Sequence, residues 1–118
     1  MNALLFETLY KSRAEALRMK LGIKNDQYGG DDDFFENNRR AADVAGLTME
    51  RSTLVLAAKH FATLCRYAED LDMLNVLFSD APALTEDMLA KWRESMDDIS
   101  IYMDLLNGML EERYQDEH

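Results

Sequence analysis

Carboxylates dominate the chemistry this sequence could do. Glu94, Asp97 and Asp98 stand in the stretch Trp92-Arg-Glu-Ser-Met-Asp-Asp-Ile. On a helix turning about 100° per residue, Glu94 and Asp98 sit about 40° apart, and Asp97 sits about 60° away on the other side. Three carboxylates converging on one spot suit a hard cation such as Mg²⁺, which keeps several waters and takes further oxygens from substrate phosphates. The competing reading is a solvated acidic face. Lys59, Thr63 and Arg66 fall on one side of their own helix at i, i+4 and i+7. They suit either a phosphate or the acids of a neighbouring helix, and 23 acids against 13 bases favour ion pairing.

Other chemistries find less support. A calcium loop starting at Asp26 would put Tyr28 and Gly30 where oxygen ligands are needed. His60 and His118 stand isolated, with no metal-ligand spacing or nucleophile triad around them. The single cysteine, Cys65, excludes an internal disulfide. Its neighbours Phe61, Ala62 and Leu64 predict a buried, inert thiol on a core helix. Neither a P-loop nor a GxGxxG motif is present.

The elements that must position these groups are helices. One proline and five glycines in 118 residues, with abundant Leu, Ala, Met, Glu and Lys, predict an all-α fold without a sheet. The length fits a single domain, 1–118. A net charge of −10 disfavours direct nucleic-acid binding and anionic membrane surfaces. No apolar run of membrane-spanning length and no signal-peptide pattern is visible, which points to a cytoplasmic protein.

The first helix is expected over 3–21, with Gly22 as its stop and a polar loop over 22–31. A second helix over 32–45 starts on Asp32 or Asp33 as cap and ends at Gly46. Thr48 opens a third helix, 48–77, which either continues throughout or breaks near Asp70. Its Leu54, Ala58, Phe61, Cys65 and Ala68 share a narrow apolar arc. After a loop over 79–83, Thr85 caps a fourth helix, 85–113. There Trp92, Met96, Ile99, Met103, Leu106 and Leu110 recur at spacings of 4 and 3, a seam suited to bundle packing. Ile101 and Leu105 lie on its far side. Two apolar stripes on one helix of a small protein call for cover from both sides, so a homodimer is expected.

Tyr28-Gly29, Phe35-Glu36-Asn37, Arg40-Ala41-Ala42, Gly46, Leu56-Ala-Ala-Lys59 and Glu94…Asp98-Ile-Ser-Ile-Tyr102 together resemble a small family of phage and prophage proteins associated with nucleotide modification. That family is similar to the MazG-like all-α nucleoside triphosphate pyrophosphatases. The resemblance covers roughly residues 25 to 112. It implies four or five helices, oligomerisation through them, and a nucleotide pocket in a protein of the bacterial host cell. It also implies Mg²⁺ held by Glu94 with Asp97 or Asp98, and a ligand faced by Lys59, Tyr28 and Arg40. Active members of the superfamily supply a second acidic pair from the preceding helix, where this chain has Leu56-Ala57-Ala58-Lys59. The expectation is therefore nucleotide binding with weak or no pyrophosphatase activity. Two alternatives stand beside it: an acidic interaction protein that inhibits or recruits a host or phage protein, and an active Mg-dependent pyrophosphatase.

Overall fold

The structure is a computed structural model that describes residues 1–28, 33–77 and 84–118, the side chains of 23–28 excepted. Four helices follow one another: α1 (Ala3–Tyr28), α2 (Glu36–Ala45), α3 (Met49–Leu77) and α4 (Glu86–Glu117). The fold is all-α, with no strand among the described residues. No described helix is long and apolar enough to cross a membrane. The chain divides into two compact units, Met1–Met49 and Glu50–His118, where the length suggests one domain.

In the first unit, α1 runs through Gly22 to Tyr28 instead of stopping at the glycine. A glycine inside a helix costs only about 1 kcal/mol relative to alanine, and no proline follows to end the helix. Surface pairs support it: Lys11 with Glu7 at 3.0 Å and Arg18 with Glu15 at 2.9 Å. The Gly29-Gly30 turn and Asp32 lie outside the described residues.

The entry to α2 is built on Asp33. One carboxylate oxygen accepts from the Phe35 N–H (3.1 Å) and the other from Arg39 Nε (2.8 Å). The Arg39 guanidinium holds the Asp33 carboxyl below its usual range, with the Phe35 N–H adding to the effect and desolvation partly opposing it. Regular helix starts later than expected, at Glu36, because Asp33 closes a turn over Phe34 and Phe35 first. The far end is as expected. Gly46 takes φ +70°, and the Leu47 and Gly46 N–H groups donate to the Ala42 and Asp43 carbonyls at 2.9 and 3.2 Å. A left-handed residue is what lets the chain fold back onto those carbonyls.

The second unit is a hairpin of α3 and α4. α3 is continuous past Asp70 to Leu77. The turn residues 78–83, Pro82 included, lie outside the described residues. Thr85 accepts from the Met88 N–H at 3.2 Å and caps α4, with Glu86 and Asp87 at its positive end. α4 runs past Arg113 to Glu117, since nothing in Tyr114-Gln-Asp-Glu breaks a helix.

Contacts along the hairpin fix its direction. Glu50 meets Arg113, Thr53 meets Met109, His60 meets Tyr102 and Tyr67 meets Trp92. Each step up α3 is matched by a step down α4, so the helices are antiparallel. Their seam is lined by Thr53, Ala57, His60 and Tyr67 on α3 and by Trp92, Ser95, Tyr102 and Met109 on α4. Thr53 and Met109 are 2% and 1% exposed, and the Thr53 hydroxyl donates to the methionine sulfur at 3.5 Å.

Of the seam that hydrophobicity selects on α4, Trp92, Ile99 and Leu106 are half-buried, and the other three residues are open. Met96, Met103 and Leu110 are exposed, and Ser95, Tyr102 and Met109 take their place one residue away. On α3 the expected core arc is likewise open: Leu54, Ala58, Phe61 and Cys65 are exposed, and Ala68 is half-buried. The thiol of Cys65 is therefore not buried. The seam mixes small residues with large ones, and which row faces inward depends on the partner helix, a criterion that a hydrophobic count does not weigh.

Candidate functional site

The hairpin seam carries one polar cluster. His60 Nδ1 lies 3.7 Å from a carboxylate oxygen of Asp98, and the His60 ring lies 5.7 Å from that of Tyr102. Asp98 and Tyr102 are one helical turn apart, so α4 presents them together to the single histidine opposite. Burial pushes the Tyr102 phenol above its ordinary range, and the nearby Asp98 charge pushes it further. At 3.7 Å the histidine and aspartate form an ion pair when the imidazole is protonated, not a tight hydrogen bond. In the sequence pattern His60 stands alone. Antiparallel register supplies its neighbours, and the only hint is the i, i+4 spacing of Asp98 and Tyr102.

Asp98 is directed to His60, Asp97 is half-buried and Glu94 is exposed. Among the described residues no group of three or more His, Cys, Asp or Glu side chains could hold a metal. A helical spacing of 40–60° puts side chains on one face, but their tips converge only where a neighbouring element leaves room.

The expected ligand contacts fall in both units. Lys59 is exposed on α3, and the Thr63 hydroxyl one turn on donates to the Lys59 backbone carbonyl at 3.1 Å. Arg66 is exposed. Arg40 belongs to the first unit and pairs with Glu36 at 2.6 Å. Tyr28 closes α1, and its side chain lies outside the described residues.

A groove of about 120 Å³ opens at the hairpin's turn end, lined by Tyr67, Asp70, Met88, Lys91 and Trp92. The Trp92 indole Nε1 is buried without a hydrogen-bond partner among the described residues. Tyr67 packs on the same indole at a centroid distance of 5.9 Å. A pocket for a drug-sized ligand begins near about 300 Å³. This groove is smaller than that.

The largest chemical feature of the hairpin is apolar. α3 and α4 each carry two flanks beside the seam. On one flank of α4 lie Ile101 (4% exposed) and half-buried Leu105. The stripe expected to need a second copy is thus covered within the chain at Ile101. The opposite flank is the open one, and it carries Met96, Met103 and Leu110. Comparison with family models, with curated proteins and with solved structures finds no match to this chain.

Proposed function

We propose that this protein acts by docking its helices on other protein surfaces, and not by turning over a substrate. The observation that carries this reading is the amount of large apolar side chain left in water. Five hydrophobic residues are buried among those described: Phe35, Ala42, Ala57, Ile101 and Met109. Phe6, Leu9 and Tyr10 on α1, Phe61 on α3 and Met96, Met103 and Leu110 on α4 are exposed. Isolated surface leucines are ordinary, but aligned apolar residues on long helices mark contact surfaces. Methionine suits such a surface, since its unbranched, polarisable side chain adapts to a partner's shape.

Nucleotide binding is the lesser reading. It rests on the resemblance above, and the groove beside Trp92 does not add to it. Photo-crosslinking in cells tests the interaction reading. A photoreactive residue at Phe6 or at Phe61 is expected to give protein adducts, while one at the terminal Glu117 gives none. Absence of adducts from both apolar positions would overturn it.

A further inference from the structure

The groove at the turn end of the hairpin has walls of two kinds. Tyr67 and Trp92, with ring centroids 5.9 Å apart and planes inclined at 51°, make an aromatic corner, and Met88 joins them in the lining. Asp70 and Lys91 supply one charge of each sign, the first from α3 and the second from α4. Asp70 follows Tyr67 by one helical turn, and Lys91 follows Met88 by one turn, so each helix brings a charge and an apolar wall to the same place.

The polar groups of this groove have nothing to bind within the hairpin. Among the described residues neither Asp70 nor Lys91 forms an ion pair, with each other or with another side chain. The Trp92 Nε1–H is buried without an acceptor. A buried donor left unpaired is costly, and an acceptor brought by a ligand removes that cost.

We infer that this groove binds a small zwitterion, a free α-amino acid with a short side chain. Lys91 and the Trp92 N–H take its carboxylate, and Asp70 takes its ammonium group. Size and charge agree on that class. The groove measures about 120 Å³, against roughly 150 Å³ for a protein cavity that holds benzene. Glycine and alanine are of that size. A net charge of −10 repels a simple anion, and a simple cation meets Lys91. A zwitterion has no net charge and offers each charged wall its complement. The methyl group of alanine is left to the aromatic corner and Met88. None of this rests on the docking reading, which stands or falls by the apolar positions Phe6 and Phe61.

Trp92 is the single tryptophan of the chain, so its indole N–H gives one separate signal in a ¹H–¹⁵N spectrum. Titration with alanine is expected to move that signal with a dissociation constant of about 1 mM or tighter. Propionate lacks the ammonium group and ethylamine lacks the carboxylate. Each is expected to bind at least about tenfold more weakly, the scale of one charge-assisted hydrogen bond. Asp70→Asn and Lys91→Met should each weaken alanine binding by a similar factor. Asp72→Asn, at an exposed position of α3 outside the groove, leaves the titration unchanged. Asp70 and Lys91 are exposed, so the variants should keep their helices, which circular dichroism checks. A signal that stays still at about 20 mM alanine, well above the expected constant, overturns the inference and leaves the groove to water. Propionate binding as tightly as alanine overturns it too, as does an Asp70→Asn variant that binds alanine unchanged, because the acid then has no part in the site.

Discussion

The seam of the α3–α4 hairpin and its open flank differ in cover more than in composition. The seam holds Thr53, Ala57, His60, Tyr67, Trp92, Ser95, Tyr102 and Met109. The flank holds Leu54, Phe61, Met96, Met103 and Leu110. Both carry large side chains, but apolar residues contribute stability only where something covers them.

The sharpest way to break this contrast is to truncate neighbouring residues that differ only in which side they serve. Met109 is 1% exposed in the seam, and Leu110 is 51% exposed on the flank. Met109→Ala should lower unfolding stability by about 2–5 kcal/mol at every protein concentration, as for other core truncations. Leu110→Ala should cost no more than about 0.5 kcal/mol, because truncating a half-exposed side chain forfeits little burial. Urea denaturation distinguishes them. Equal losses would remove the difference between the two surfaces.

A smaller effect sharpens the description of the seam's end. Arg113 Nη2 meets Glu50 at 2.8 Å, with the carboxylate largely shielded and the guanidinium half exposed. Glu50→Gln should cost about 0.5 kcal/mol at low salt and almost nothing at high salt. A Glu50→Gln loss that persists in molar salt would mean that the contact acts through packing.

Much of the fold was legible from single residues. Gly46 and Thr85 mark helix ends through mechanisms that need no tertiary context: a left-handed φ and a hydroxyl accepting a backbone N–H. The all-α class follows from composition. Facing was not legible. Hydrophobicity assigns the α4 seam to Trp92, Met96, Ile99, Met103, Leu106 and Leu110; Trp92, Ile99 and Leu106 are half-buried, whereas Met96, Met103 and Leu110 are open, one residue away from Ser95, Tyr102 and Met109. Both rows keep the same spacing, so periodicity cannot choose between them. That choice depends on which row the partner helix can approach. For the same reason Glu94, Asp97 and Asp98 read as a cation site, and His60 reads as alone. Distances between helices decide both matters, and only the pairing of α3 with α4 supplies them.

The weakest effect comes from the phenol at the middle of the seam. Tyr102 is held neutral first by burial and then by the charge of Asp98. Its folded pKa lies above the ordinary value of 10.0. The sign follows from linkage: below that ordinary value both states are protonated and the contribution is fully present. As pH rises through it, the unfolded chain ionises while the folded chain resists, so stability falls until the folded phenol also ionises. Thermal unfolding should therefore show an alkaline loss beginning near pH 10 that is reduced in Tyr102→Phe. Asp98→Asn should lower the Tyr102 pKa without restoring it fully, because burial is the larger cause, and tyrosinate absorbance reads this directly. An unchanged alkaline limb in Tyr102→Phe would mean that the seam admits water at Tyr102, and that the boundary between covered and open surface lies deeper in the hairpin than the contacts place it.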